Sequence, residues 1–349
     1  MTGSLITALF DAHAFDPMLL DVDMGEYHVP FDDLTETQAT EHGLRQAVVK
    51  YERVALTAHS GSGKTSVARF TLDTPPDRIA PIWVPVAYKS DEVAKDPLRF
   101  AQYLVEVILE TARGVARIPQ AQRDELLAGA TTDIRLPTHA RRVGVGGTLQ
   151  AWILRGNVAV DITRTAGGGS LPRSEEAVLQ RANDVIEAIK AYDLDPVLIM
   201  DDTDRFIGRA AADELIPAFF GSVLRAVVEQ LHAGIVVAAH PHYLDREDYR
   251  RHTTGLIERH ITIPELPSED ALARMLDPRV AFARASATAR EAIEPDALSE
   301  LFAVYRAQEE RSIRTILAVA HAALGRAQAA CSSAIGAEHI LGGADDVML

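Results

Sequence analysis

The sequence predicts an α/β fold: a parallel sheet with helices on both faces, followed by an all-helical C-terminal region. Three observations predict it. Continuous apolar runs at residues 54–56, 196–200 and 235–239 have the character of strands buried on both faces. Stretches with helical spacing separate them, as crossovers between parallel strands require. Beyond Pro264 and Pro267 the strand-like runs stop, and helical spacing takes over at Ile313, Leu317, Ala320 and Leu324.

Composition narrows the class. A chain of 349 residues has the length of about two domains, and 47% hydrophobic with 24% charged residues suits a soluble globular core. The net charge of −15 opposes a globally basic nucleic-acid binder but leaves room for a local basic patch. A single cysteine, Cys331, cannot form an internal disulfide and fits a reducing cytoplasm. No apolar run has the length of a membrane span, and residues 1–15 carry Asp11 and no basic segment. The expectation is therefore a cytoplasmic protein with no membrane partner.

The elements follow in order. Residues 1–34 form an acidic leader that ends near Pro30. Thr35 with Gln38 three positions later has the form of a capping box, opening a helix to about Lys50. The first strand follows at once. A second strand is read at residues 82–87, where Pro85 suggests an edge or a bulge. Pro97 opens an amphipathic helix with Phe100, Leu104, Val107 and Ile108 on one face. Residues 115–173 read as an insertion. Within it, β-like runs at 148–154 and 157–163 flank Arg155-Gly156, a predicted hairpin bearing Arg141, Arg142, Arg155, Arg164 and Arg173. These arginines are read either as solvated charge or as a contact surface for nucleic acid or protein. A helix at 174–191, the strand at 196–200, a helix at 213–232, the strand at 235–239 and a last strand at 261–263 complete the core, 35–266. Residues 267–349 form the helical region.

Ala58-His59-Ser60-Gly61-Ser62-Gly63-Lys64-Thr65, followed by Ser66, lies between the first strand and a helix-like stretch. Strand, glycine loop, Lys-Thr and helix is the order that a phosphate cradle needs. Loop N–H groups and a helix N-terminus face the phosphates, the lysine reaches the β and γ oxygens, and the threonine hydroxyl ligates Mg²⁺. Ala58 stands where a first glycine is usual, which is tolerable if that position needs no positive φ. A second acidic motif ends the 196–200 strand: Asp201-Asp202-Thr203-Asp204-Arg205. Carboxylates at the C-terminal tip of a buried strand point toward the crevice where α/β sheets bind ligands. Asp201 is read as the Mg²⁺ partner of Thr65, and Asp202 as the residue that orients or deprotonates the attacking water. Asp204 and Arg205 read as an ion pair. His240, His242, Asp245 and His252 fit no standard metal spacing.

With these motifs on separate strands, and another strand between them in sequence, the chain resembles AAA+ P-loop ATPases. The likeness is to the origin-recognition-like branch and the related STAND and KAP ATPases. It rests on residues 58–65, on 198–205, and on Ser312-Ile313-Arg314-Thr315-Ile316-Leu317 in the tail. The resemblance implies the strand order 5-1-4-3-2, ATP as the nucleotide, and a helical lid over it. By position it implies that Arg314, with Arg311 as the fallback, is a second sensor reaching the γ-phosphate. His240 stands at the first sensor, where the family places Asn or Thr. Arg259 corresponds to an arginine finger that acts on a neighbouring subunit, and reads equally as a salt-bridged arginine. Asp202 replaces the common glutamate, which implies slow, switch-like hydrolysis. Little chain follows the lid, so a winged-helix domain is not expected here. The implied function is a Mg-ATP-binding ATPase whose lid switches engagement of a protein partner or self-assembly. The alternatives are a non-hydrolysing ATP-gated scaffold and a nucleic-acid-stimulated ATPase using the arginine-bearing hairpin.

Overall fold

The structure is a computed structural model, and it describes residues 4–17, 27–73, 78–86, 91–114, 118–121, 174–209 and 211–348. The predicted hairpin at 148–163 and its five arginines lie outside the described residues. Two compact units divide the chain. One comprises Met1–Arg45, Leu56–Thr74 and Ile261–Leu349; the other comprises Gln46–Ala55 and Pro75–His260.

A five-stranded, all-parallel sheet holds β1 (Arg53–Thr57), β2 (Ile79–Pro85), β3 (Asp195–Asp201), β4 (Gly234–Ala239) and β5 (Arg259–Thr262). Its order is β2-β3-β4-β1-β5, the predicted 5-1-4-3-2 read from the other edge. Ile79 pairs with Asp195 and Pro85 with Asp201 along β2 and β3; Val197 pairs with Gly234 and Met200 with Val237 along β3 and β4. Every residue of β4, and all of β3 after Asp195, is buried. That burial is why these two runs are apolar without alternation. β2 begins three residues before the predicted strand and ends at Pro85. It occupies a sheet edge, where two prolines cost no ladder bond on the open side.

In the unit that contains most of the sheet, α5 (Asp91–Lys95) leads to α6 (Pro97–Gly114). Asp96 caps α6 by accepting the N–H groups of Leu98 and Arg99, and Pro97 takes the first helical position, where its missing N–H matters least. α7 (Glu175–Lys190) starts at Ser174, whose hydroxyl accepts the Ala177 N–H. The helix expected over 213–232 is not continuous. It comprises α8 (Ala212–Ala218), a π turn at Phe219–Val223 and α9 (Leu224–Gln230). Pro217 lacks the N–H that a regular helix would donate, and the ladder widens just beyond it. The helix ends early because buried Asn183 donates to the Gln230 carbonyl at 2.6 Å and accepts the His232 N–H at 2.9 Å. α10 (Pro241–Asp245) and α11 (Glu247–Thr253) follow β4.

The other unit joins the N-terminal segment, the glycine loop and the tail. α1 (Leu5–Asp11) is capped by Ser4, and α2 (Phe31–Thr35) and α3 (Glu41–Val49) replace the single predicted helix. The Thr35–Gln38 capping box does not form: Thr35 ends α2, and its hydroxyl donates back to the Phe31 carbonyl. Two carboxylates win the competition for the helix ends. Asp32 accepts the N–H groups of Thr40 and His42 at the start of α3, and Glu41 accepts those of Phe31 and Asp32 at the start of α2. Charged acceptors bind orphan N–H groups more strongly than a hydroxyl does. α4 (Lys64–Asp73) follows the loop. The tail comprises α12 (Glu269–Ala283), α13 (Ala289–Ala292), α14 (Pro295–Ala307), α15 (Ile313–Ala329) and α16 (Ala337–Met348). Arg279 of α12 secures the N-terminal segment, donating to the carbonyls of Ala14 and Asp16 with its guanidinium 5.1 Å from the Tyr27 ring centre. Among the described residues, no helix is long and apolar enough to cross a membrane.

Candidate functional site

β1 runs directly into the glycine loop. Gly61 and Gly63 have φ of +75° and +99°, backbone states that L side chains rarely adopt, so the two glycines let the loop fold back before α4 begins. A side chain at Gly61 has no space either, because an added Cβ would lie 2.4 Å from Ser312 Oγ. Beside Gly63 lies the ring of Phe31. The first α-helical bond, Val67 N–H to Gly63 carbonyl at 2.9 Å, starts α4 within the motif. The N–H groups of its first turn have no intrahelical acceptor, the condition for an anion site. Lys64 is buried, and its ammonium donates to the carbonyls of Ala58 at 2.8 Å and His59 at 3.0 Å. Its charge therefore lies within the loop. Thr65 is the second residue of α4, and His59 Nδ1 lies 4.0 Å from Glu310.

The tail meets this loop through the start of α15. Ser312 caps the helix by accepting the Thr315 N–H, and the Arg314 N–H donates to the Gly61 carbonyl at 3.0 Å. The Arg314 side chain is exposed, and among the described residues its guanidinium makes no ion pair or hydrogen bond. Arg311 is different: it has a φ of +44° and is paired with Glu265. Between the two candidate sensors, Arg311 is already engaged.

Within the sheet unit, Asp201 is the last residue of β3 and is buried. Its Oδ1 accepts the Asp202 N–H at 2.8 Å. Asp202 has φ 64° and ψ 18°, a left-handed state, and leads into a 3₁₀ turn over Thr203–Phe206. Arg205 Nε lies 3.4 Å from Asp202 Oδ1, so the arginine read as a partner of Asp204 reaches Asp202. Thr203, fully buried, donates its hydroxyl to the Ala238 carbonyl on β4, and the Tyr243 hydroxyl donates to the Thr203 carbonyl. Burial, with Glu106 and Asp202 nearby, pushes the Tyr103 hydroxyl well above its ordinary range; that hydroxyl donates to the Pro85 carbonyl at 3.2 Å.

His240 follows β4 and caps α10, its Nδ1 accepting the His242 N–H at 3.1 Å. An accepting Nδ1 carries no proton, so the neutral ring holds its hydrogen on Nε2. Arg259 is the first residue of β5 rather than preceding the strand, and its Nη1 lies 3.3 Å from Glu52 Oε2. Sequence reasoning missed Thr203, Tyr243 and Tyr103. A threonine after two aspartates and tyrosines on helices carry no pattern that marks them.

No family model matches the sequence, and no curated protein matches it. Solved structures do. The Aeropyrum pernix ORC1 protein, in complex with DNA, aligns over 95% of this chain and 69% of that one, with a TM-score of 0.53 and 15% identity. CDC6p from Pyrobaculum aerophilum aligns over 93% of this chain and 71% of that one, with a TM-score of 0.49 and 14% identity. At such identities the likeness is one of fold. The chain shares the fold of the Aeropyrum ORC1 protein; in this chain it comprises a parallel sheet of the order β2-β3-β4-β1-β5 and a helical C-terminal region.

Proposed function

We propose that the protein binds Mg-ATP and hydrolyses it slowly, using the γ-phosphate to set the lid and thereby its engagement of a protein partner or of further copies. One observation carries the reading. A loop with two left-handed glycines holds a buried lysine ammonium among its own carbonyls and opens directly into a helix N-terminus. That combination serves polyphosphate recognition and has little other use. Residues 59–66 surround the phosphates, with Lys64 on the β and γ oxygens. Thr65 and Asp201 would hold the Mg²⁺ ion, which would supply neutralisation of the phosphate charge. Thr65 follows β1 and Asp201 ends β3, and the C-terminal tips of parallel strands are where open α/β folds bind ligands.

Asp202 orients the attacking water, and its left-handed backbone is the kind of strained state that clusters at functional positions. His240 supplies a neutral Nε2–H donor. Arg314, whose guanidinium is not committed elsewhere among the described residues, reaches the γ-phosphate from α15; loss of that phosphate lets the lid relax. Arg259, already near Glu52, acts in trans where subunits assemble. Asp202→Asn tests the reading: it should keep Mg-ATP binding within about threefold while lowering turnover about 100-fold or more. Negligible turnover in both proteins, with binding retained, would favour the ATP-gated scaffold. A nucleic-acid-stimulated ATPase is the second reading, favoured by the DNA complex of the Aeropyrum protein with this fold. Turnover indifferent to DNA and RNA at low salt removes it.

A further inference from the structure

Asp202 holds a left-handed backbone, a state open to aspartate at a small cost and fixed here by hydrogen bonds. Local bonds do part of this, through the Asp202 N–H to Asp201 Oδ1 and the Arg205 N–H to the Asp202 carbonyl at 3.2 Å. Both lie within the same turn and can move with it. Two other bonds leave the turn. The Thr203 hydroxyl donates to the Ala238 carbonyl, one residue before β4 ends, and the Tyr243 hydroxyl donates to the Thr203 carbonyl from α10. Thr203 and Tyr243 are both fully buried.

Tyr243 belongs to the turn that His240 caps. Its N–H donates to the His240 carbonyl at 3.0 Å, and its ring lies edge-on to the His240 ring at 6.4 Å. Phe220 and Tyr249 pack the same ring at 5.1 Å and 5.8 Å, so it has no room to swing. Burial keeps the Tyr243 hydroxyl protonated far above neutral pH, with Asp204 adding to the effect, so it remains a donor. The turn after β3 is thus tied by one buried hydrogen bond to the end of β4 and by another to α10, the helix that His240 caps.

We infer that Thr203 and Tyr243 are positioning residues, which lock the Asp202 carboxylate and the His240 imidazole into one fixed geometry for attack on the γ-phosphate. The inference rests on the Mg-ATPase reading and specifies which hydroxyls hold its two polar side chains. Both side chains are fully buried with their hydroxyls on main-chain carbonyls, so their loss should fall on kcat and spare binding.

The test uses the full chain with Tyr243→Phe, Thr203→Val and Thr203→Ser, measuring Mg-ATP affinity, kcat and KM. Tyr243→Phe keeps the packed ring and loses the donor; Thr203→Val keeps the shape and loses the hydroxyl. Both should lower kcat about tenfold or more, with affinity and KM within about twofold of wild type. Thr203→Ser, which restores the hydroxyl without the methyl, should return most of kcat. A merely structural role predicts instead that Ser and Val are equally harmful, or that affinity and kcat fall together; either result overturns the inference. So does wild-type kcat in Tyr243→Phe and Thr203→Val, which would leave the ATPase reading intact. A wild-type protein that binds Mg-ATP without turnover defeats the hydrolysis reading, and this inference with it.

Discussion

Arg314 donates its main-chain N–H to the Gly61 carbonyl at 3.0 Å, so the glycine loop and the first turn of α15 share a hydrogen bond. The contact depends on glycine. At φ +75°, with a would-be Cβ 2.4 Å from Ser312 Oγ, Gly61→Ala brings both backbone strain and a clash. The expected loss is about 2–4 kcal/mol of stability, read as a lowered urea midpoint with unchanged slope. An unchanged midpoint would mean that loop and helix part without cost.

Glu41 gives the fold a pH dependence. Burial pushes its carboxyl up, but hydrogen bonds from His28 and from the N–H groups of Phe31 and Asp32 outweigh burial and hold it below the ordinary 4.5. As pH falls, the unfolded chain therefore takes up this proton first. Stability from Glu41 is fully present above the ordinary value and is lost as pH falls through the lower folded value. Glu41→Gln should cost about 1–3 kcal/mol at pH 7, with the gap to wild type closing in acid. Denaturant titrations across that range check it; a gap that widens in acid contradicts the assignment.

Asn183 fastens α7 to the end of α9 through two bonds to main-chain groups, 2.6 and 2.9 Å long. Asn183→Ala leaves a part-buried carbonyl and N–H without their side-chain partner. The expected cost is about 2–3 kcal/mol, measured by thermal or urea unfolding. A loss under half a kcal/mol would show that water replaces both partners.

Arg259 and Glu52 are each about a third exposed, at 35% and 29%, so their pair contributes little to the fold. Arg259→Ala should change stability by less than about 1 kcal/mol. If the side chain acts in trans, its loss lowers turnover only under conditions where light scattering with a slowly hydrolysed ATP analogue shows assembly. An assembled protein that retains full turnover without Arg259 rules out that role.

The legible parts of the fold were those where one short segment carries its own constraint. β3 and β4 announced themselves because both faces are covered and no polar position interrupts 196–200 or 235–239. The glycine loop was legible because a phosphate cradle needs fixed residue types at fixed spacing. What escaped was decided between distant segments. Thr35 and Gln38 offered a sound local cap, yet the carboxylates of Asp32 and Glu41 took the helix ends. Asn183, 47 residues from Gln230 along the chain, ended α9. Thr203 and Tyr243 gained their place only through the pairing of β3 with β4, which no local pattern encodes.

Mg-ATP titration calorimetry of wild type and Lys64→Ala tests the central claim most directly. The account predicts saturable one-to-one binding by the wild type and at least a 100-fold loss, about 2.7 kcal/mol, in the variant. Equal affinity in the two proteins, or no binding by the wild type, would contradict it.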